Sequence, residues 1–253
     1  IMSRKKTKSE LISHKNSSIS DLTTYLDMLI SSDDPKLQGK ADKLSYWISD
    51  WVNFLQYEPQ FSPMSLRRYR HGEIIKVHLG FNVGSEEGGL HYAVVAEKEN
   101  AKSSPVVTVV PLTSVKPGVD INTLHSGSVF LGNELFTSLS SKITATEKHL
   151  TSEVSLLQKL IGDLANDFSE EKKLEYSDRL EKCTEELDFL NRMRKEVLKM
   201  KQGSIALVNQ ITTISKIRIY DPKTDYDILS NIKLSNEKLD VLDKEITKKY
   251  TNF

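Results

Sequence analysis

The sequence has a single cysteine, Cys183. One thiol cannot close an internal disulfide or supply a zinc site of the usual ligand count, so a reducing, cytoplasmic setting is expected. Long apolar runs are missing. None approaches the roughly 20 residues of a bilayer-spanning helix, and no membrane partner is expected. Net charge is missing too: 35 Lys and Arg balance 35 Asp and Glu over 253 residues. No overall field attracts nucleic acid, so any such binding must come from local patches. Residues 1–17 are polar and basic and lack the apolar core of a secretory signal. They read as a disordered tail. Between 141 and 200 proline is absent and Gly162 is the one glycine. That excludes frequent turns there and favours long helices.

What is present divides into four pieces. Residues 18–66 carry two helical patterns. In the first, Leu22, Leu26, Leu29 and Ile30 share a face behind a serine cap at Ser18 or Ser20. The second starts at Pro35. It bears a wide aromatic stripe of Leu37, Ala41, Leu44, Trp47, Ile48, Trp51, Phe54 and Leu55, which is expected to be buried. Residues 67–140 are strand-rich. Short β-branched runs at 74–79, 93–96, 106–112 and 128–131 are separated by glycine, serine and asparagine. The almost wholly apolar PVVTVVPLT reads as a central strand.

Residues 141–201 then change character. Ile143, Leu150, Val154, Leu157, Ile161, Leu164 and Phe168 recur at heptad steps. Tyr176, Leu180, Cys183, Leu187, Leu190 and Val197 do so again after a cap at Ser169. Two helices of about 27 residues, each about 40 Å long, would fold back on each other. The alternating charges on them read as a solvated surface. Residues 202–253 return to strands and end in a helix starting near Ser235, with Leu234 and Leu239 placed as a hydrophobic staple.

Three blocks carry a resemblance. The first is RHGEIIKVHLGFNVGSEEGGLHYAVV, residues 70–95. The second is SSPVVTVVPLT, residues 103–113. The third is GSIALVNQITTISKIRI, residues 203–219. In this order they resemble the opening Arg-Gly-Asp/Glu strand, the Gly-Ser-Glu-Gln-Gly-Gly-x-Arg-Pro loop, the Ser-Pro strand and the late strand of the MazF/PemK toxins. The resemblance implies an α+β fold: a small SH3-like β-barrel of the MazF/PemK/CcdB type. Here that barrel would carry an N-terminal helical pair and be split by an inserted antiparallel coiled-coil hairpin at 141–201.

It also implies an enzyme, a cofactor-free and metal-independent endoribonuclease that cuts single-stranded RNA. The 2′-hydroxyl would attack its own phosphodiester. The implied partners are the RNA, an antitoxin protein and a second copy of the chain in a homodimer. The family's catalytic pair falls on His91, where relatives carry arginine, and on Thr113. His71 also replaces an arginine, Tyr92 replaces a proline, and Thr212 stands where many members have arginine. Imidazole suits proton transfer better than guanidinium does, but charge compensation for the phosphate is reduced.

The RNA-binding candidates are Gly84, Ser85, Glu86, Gly88, Gly89, His71 and Gln210. Each has a plainer reading. Gly88 and Gly89 can serve a tight turn, Glu86 and Glu87 can shape the loop, and Gln210 can be a buried sheet amide. His91 can be an idle loop histidine. His78 and His125 have no motif around them. The alternative for the whole chain is a catalytically silent MazF-like barrel that acts as a protein-interaction or nucleic-acid-binding module.

Overall fold

The computed structural model describes residues 6–166, 169–201 and 203–252. Its first helix, α1 (Lys8–Ile30), begins earlier than the sequence suggested, because Thr7 and Glu10 form a capping box. The Thr7 hydroxyl accepts from the Glu10 amide at 3.3 Å, and the Glu10 carboxylate accepts from the Thr7 amide at 2.7 Å. Two otherwise orphaned donors are satisfied, so a segment expected to be disordered is helical. Residues 1–5 of the predicted tail lie outside the described residues.

Asp34 caps α2 (Pro35–Tyr57), with proline in its first turn. This helix meets the sheet along one edge only. Trp47 stacks on His78 at 4.6 Å, and the Arg218 guanidinium lies 5.5 Å from the Trp47 ring. Gly80 permits that approach, since a Cβ there would stand 3.0 Å from the indole. His78 is therefore a packing residue, and burial depresses its pKa. The predicted burial of the entire aromatic stripe does not hold. Ala41 is buried, whereas Trp51 and Leu55 are 51% and 48% exposed.

Seven strands follow: β1 (Ile74–His78), β2 (Leu90–Val95), β3 (Val106–Ser114), β4 (Ser128–Gly132), β5 (Ser204–Leu207), β6 (Thr212–Ser215) and β7 (Ile219–Asp221). They form an antiparallel sheet in the order β4-β5-β3-β2-β1-β7, with β6 also on β3. The apolar run read as a central strand is β3. Its first half pairs with β6 and its last three residues pair with β5. Pro111, with no N–H to donate, stands where β3 passes from one partner to the other.

Among the described residues the end strands β4 and β7 are not paired with each other. The sheet is open where a closed barrel was predicted. Alternation along the strands gives two cores. Ile74, Val94, Val110 and Leu112 face one, and Ile75, Val77, Ala93, Val95 and Val109 face the other. The first core is completed by Leu239 and Leu242 of α5 (Asn236–Tyr250). Ser235 caps that helix, as the sequence suggested.

The two long helices are α3 (Glu134–Asn166) and α4 (Glu170–Lys199). Ion pairs join Glu147 to Arg194, His149 to Glu186 and Glu153 to Arg179, so the helices run antiparallel. Their shared seam is narrower than a two-row heptad. Leu150, Leu157, Cys183, Leu190 and Met193 are buried, while Val154, Ile161, Leu180 and Leu187 are between 45% and 52% exposed. The Leu164 side chain and Phe168 lie outside the described residues. No described helix is long and apolar enough to cross a membrane.

The base of the helix pair is bound into the sheet-bearing body. Leu135 and Leu139 of α3 are part of the first core. Lys142 donates to the carbonyls of Asp227, Ile228 and Ser230 at 3.2, 2.9 and 3.0 Å. From α4, the Glu196 carboxylate accepts from both Lys76 of β1 and the Tyr92 phenol of β2.

Candidate active site

The register of β2 on β3 pairs Ala93 with Pro111, Val94 with Val110 and Val95 with Val109. Continued two residues outward, it sets His91 opposite Thr113. Directly opposed residues of an antiparallel pair share a face. Both line one cleft of about 210 Å³, together with Asn133, Lys199, Lys201 and Ser204. Two residues chosen from separate sequence blocks are thus brought to the same cavity.

His91 is half-buried and held on two sides. Its Nδ1 lies 3.2 Å from the Leu112 carbonyl, and its Nε2 lies 3.5 Å from a Glu87 carboxylate oxygen. A carbonyl only accepts, so Nδ1 carries a hydrogen and Nε2 is the nitrogen left to take or give a proton. The Thr113 hydroxyl has no protein hydrogen bond among the described residues and is free to donate to a ligand. Across the cleft, the Asn133 side-chain oxygen accepts from the Gly203 amide at 2.7 Å and fixes the start of β5. Gly203 has φ 78°, and a Cβ there would lie 2.7 Å from Val115 Cγ2. Only glycine suits that backbone and that space.

Tyr92 also lines the cleft, but its hydroxyl is engaged by Glu196. Burial, and the Glu196 carboxylate to which it donates, hold its phenol protonated far above the usual range. For Glu196, burial alone would raise the pKa. Hydrogen bonds from Lys76 and Tyr92, with the charges of Lys76 and Lys199, outweigh it and keep the carboxyl below its ordinary value.

The other predicted site residues lie elsewhere. Glu86, Gly88 and Gly89 line a separate groove of about 350 Å³ with Lys43, Tyr46 and Trp47. Gly88 serves the chain itself, since a Cβ there would stand 2.8 Å from the Gly80 carbonyl. Gly84 and Gly89 have positive φ and nothing within 4 Å of an added Cβ, which suits an open turn. Gln210 is a clamp. Its oxygen accepts from the Glu87 amide at 3.1 Å, and its nitrogen donates to the Ser85 carbonyl at 2.9 Å. It therefore sets the loop that places Glu87 against His91. His71 is tied to Asp243 of α5 at 3.0 Å and does not line the cleft.

Sequence reasoning missed Asn133, Lys199 and Lys201. The two lysines close the second long helix and its exit, a few residues ahead of the Gly203-Ser204 block. That adjacency was the available signal, but they were grouped with the solvated charges of the helices.

Residues 70–171 match the family model described as "PemK-like, MazF-like toxin of type II toxin-antitoxin system". No curated protein gives a significant match to the chain. The matched segment includes β1 to β4, both cleft residues and all of α3. The late block at 203–219 lies beyond it. Over residues 70–171, about two fifths of the chain, the protein is similar to the MazF/PemK toxins.

Proposed function

We propose that this protein is a cytoplasmic toxin-type endoribonuclease that cuts single-stranded RNA without a metal and is restrained by an antitoxin. The observation that carries the proposal is the convergence of His91 and Thr113 on one cleft. In this reading His91 Nε2 takes the proton of a 2′-hydroxyl. The oxygen attacks the adjacent phosphorus, and the bond to the 5′-oxygen breaks as that oxygen gains a proton. The products are a 2′,3′-cyclic phosphate and a 5′-hydroxyl. Thr113 donates to a phosphoryl oxygen. Positioned proton transfer of this kind contributes about 10²–10⁴-fold.

The MazF/PemK/CcdB type is the finer fold we assign to this open sheet, with the two long helices as a coiled-coil insertion between its halves at 67–140 and 202–253. A homodimer is also part of this reading. Its support is apolar surface left uncovered on the helices, Trp51 and Leu55 on α2 and the row of Val154, Ile161, Leu180 and Leu187.

A second reading is a catalytically silent binding module. Its support is the absence of arginine at three family positions, His91, His71 and Thr212, with His71 engaged by Asp243 away from the cleft. Single-stranded RNA incubated with the protein in chelator separates the two readings. The ribonuclease reading expects cutting that Thr113→Val slows and His91→Ala nearly abolishes. The silent reading expects intact RNA with all three proteins.

A further inference from the structure

Phosphate chemistry at the cleft lacks the cations that arginines would supply, and the structure places others there. Lys199 lines the His91 cleft and also a second cleft of about 200 Å³. The second cleft is lined by Lys76, Arg192, Lys195, Lys199 and Tyr220, with Glu196 and Asp221 as its carboxylates. Arg192, Lys195 and Lys199 fall at steps of three and four, so they share one face of α4. Lys201 continues their line into the first cleft.

None of these four cations forms an ion pair with a described residue. The two carboxylates that line the second cleft are engaged: Glu196 accepts from Lys76 and Tyr92, and Asp221 accepts from the Leu229 amide at 2.7 Å. Tyr220 is 63% exposed beside the cations. Arg192 lies 5.6 Å from the Phe189 ring, a contact that leaves its charge without a carboxylate partner, and Lys76 lies 5.8 Å from the Tyr220 ring. Cations outside ion pairs beside a largely exposed aromatic ring are how proteins hold a single strand, with phosphates on the charges and a base on the ring.

We propose that the last turns of α4 and its exit form a track for single-stranded RNA, with Arg192, Lys195, Lys199 and Lys201 on phosphates and Tyr220 under a base. The track leads from the second cleft into the one that holds His91 and Thr113. In taking the strand to be RNA, it rests on the ribonuclease reading. It gives the long helices a direct part in substrate binding. The cations are held in place because Glu196, on the same stretch of helix, is fixed to β1 and β2.

The test uses the full chain and a fluorescent 2′-O-methyl RNA oligonucleotide of mixed sequence, which cannot be cut because its 2′-oxygen carries a methyl. Binding is followed by anisotropy across salt concentrations. Each single-strand phosphate contact contributes about 0.7 to the slope of log affinity against log salt. The pair K199Q/K201Q and the pair R192Q/K195Q should each lower that slope by about 1.4 and weaken binding about tenfold at 0.1 M salt. Tyr220→Ala should weaken binding about fivefold or more with the slope unchanged. The control pair K36Q/K98Q, outside both clefts, should change neither. Thermal melting confirms that each variant folds.

Slopes equal to the control's, or no binding by the parent chain, would overturn the track. Binding with these slopes but no cutting of ordinary RNA would remove the ribonuclease reading and leave the track standing.

Discussion

His91 reaches its place through contacts that no motif records. The Leu112 carbonyl fixes its tautomer from the neighbouring strand, and Glu87 faces its other nitrogen from a loop clamped by Gln210. The sequence blocks named His91 and Thr113, and a strand pair in fixed register carries these two residues to one spot. They were not enough to separate Gln210 the base reader from Gln210 the loop clamp, since that depends on which backbone groups the fold leaves unpaired. Gly203 is a position where local backbone and packing agree. Its φ of 78° and the 2.7 Å to Val115 both exclude a side chain. Gly203→Ala should cost about 2 kcal/mol or more, combining left-handed backbone strain with the clash. A denaturant midpoint equal to that of the parent would show that β5 and Val115 shift freely, contrary to this reading of the cleft wall.

Periodicity made the helices and strands legible: each predicted strand run of 67–140 holds a strand, and the final helix begins one residue after its expected cap. What periodicity could not show is which faces find partners. The aromatic stripe of α2 looked uniformly buried, yet the helix meets β1 through Trp47, Asp50 and Phe54 gathered around His78, while Trp51 and Leu55 stay exposed. The charges of α4 looked uniformly solvated, yet Glu196 is drawn in by Lys76 and Tyr92. Both depend on the tertiary position of one residue within a regular pattern.

Glu196→Gln should therefore destabilise the protein by about 2 kcal/mol at neutral pH, because it leaves the Lys76 ammonium partly buried without its counter-charge. The sign with pH follows from the lowered carboxyl. A carboxyl whose folded pKa lies below its unfolded value contributes stability above that unfolded value, near 4.5, and loses it as pH falls through the folded value. The gap between parent and variant in urea unfolding should be full above about pH 4.5 and shrink on further acidification. A gap that widens toward low pH would mean that Glu196 is not the partner that holds α4.

In the molecule as a whole, the helix pair has two unlike halves. Its base is built into the body through Leu135, Leu139, Lys142 and Glu196, and it carries the proposed track. Its far half packs on itself around Leu157 and Cys183. Replacing residues 151–184 with a short glycine-rich linker should leave cooperative unfolding and RNA binding in place, since the ends of an antiparallel pair lie close together. Loss of a cooperative transition would show that the far half is needed for folding.

Of the three sequence blocks that resemble the family, the first two lie within the match over residues 70–171 and the third lies beyond it. The open sheet and the helical capping of the N-terminal segment were not legible, because both depend on which backbone groups find partners. The central claim is that the His91–Thr113 cleft performs internal transesterification. The most direct measurement is the mass of the upstream fragment released from single-stranded RNA in chelator, with rates for the parent chain and for His91→Ala. The expected result is a fragment ending in a 2′,3′-cyclic phosphate and a rate at least about 100-fold lower for the variant. A fragment ending in a 3′-hydroxyl, or equal rates for the two proteins, would contradict it.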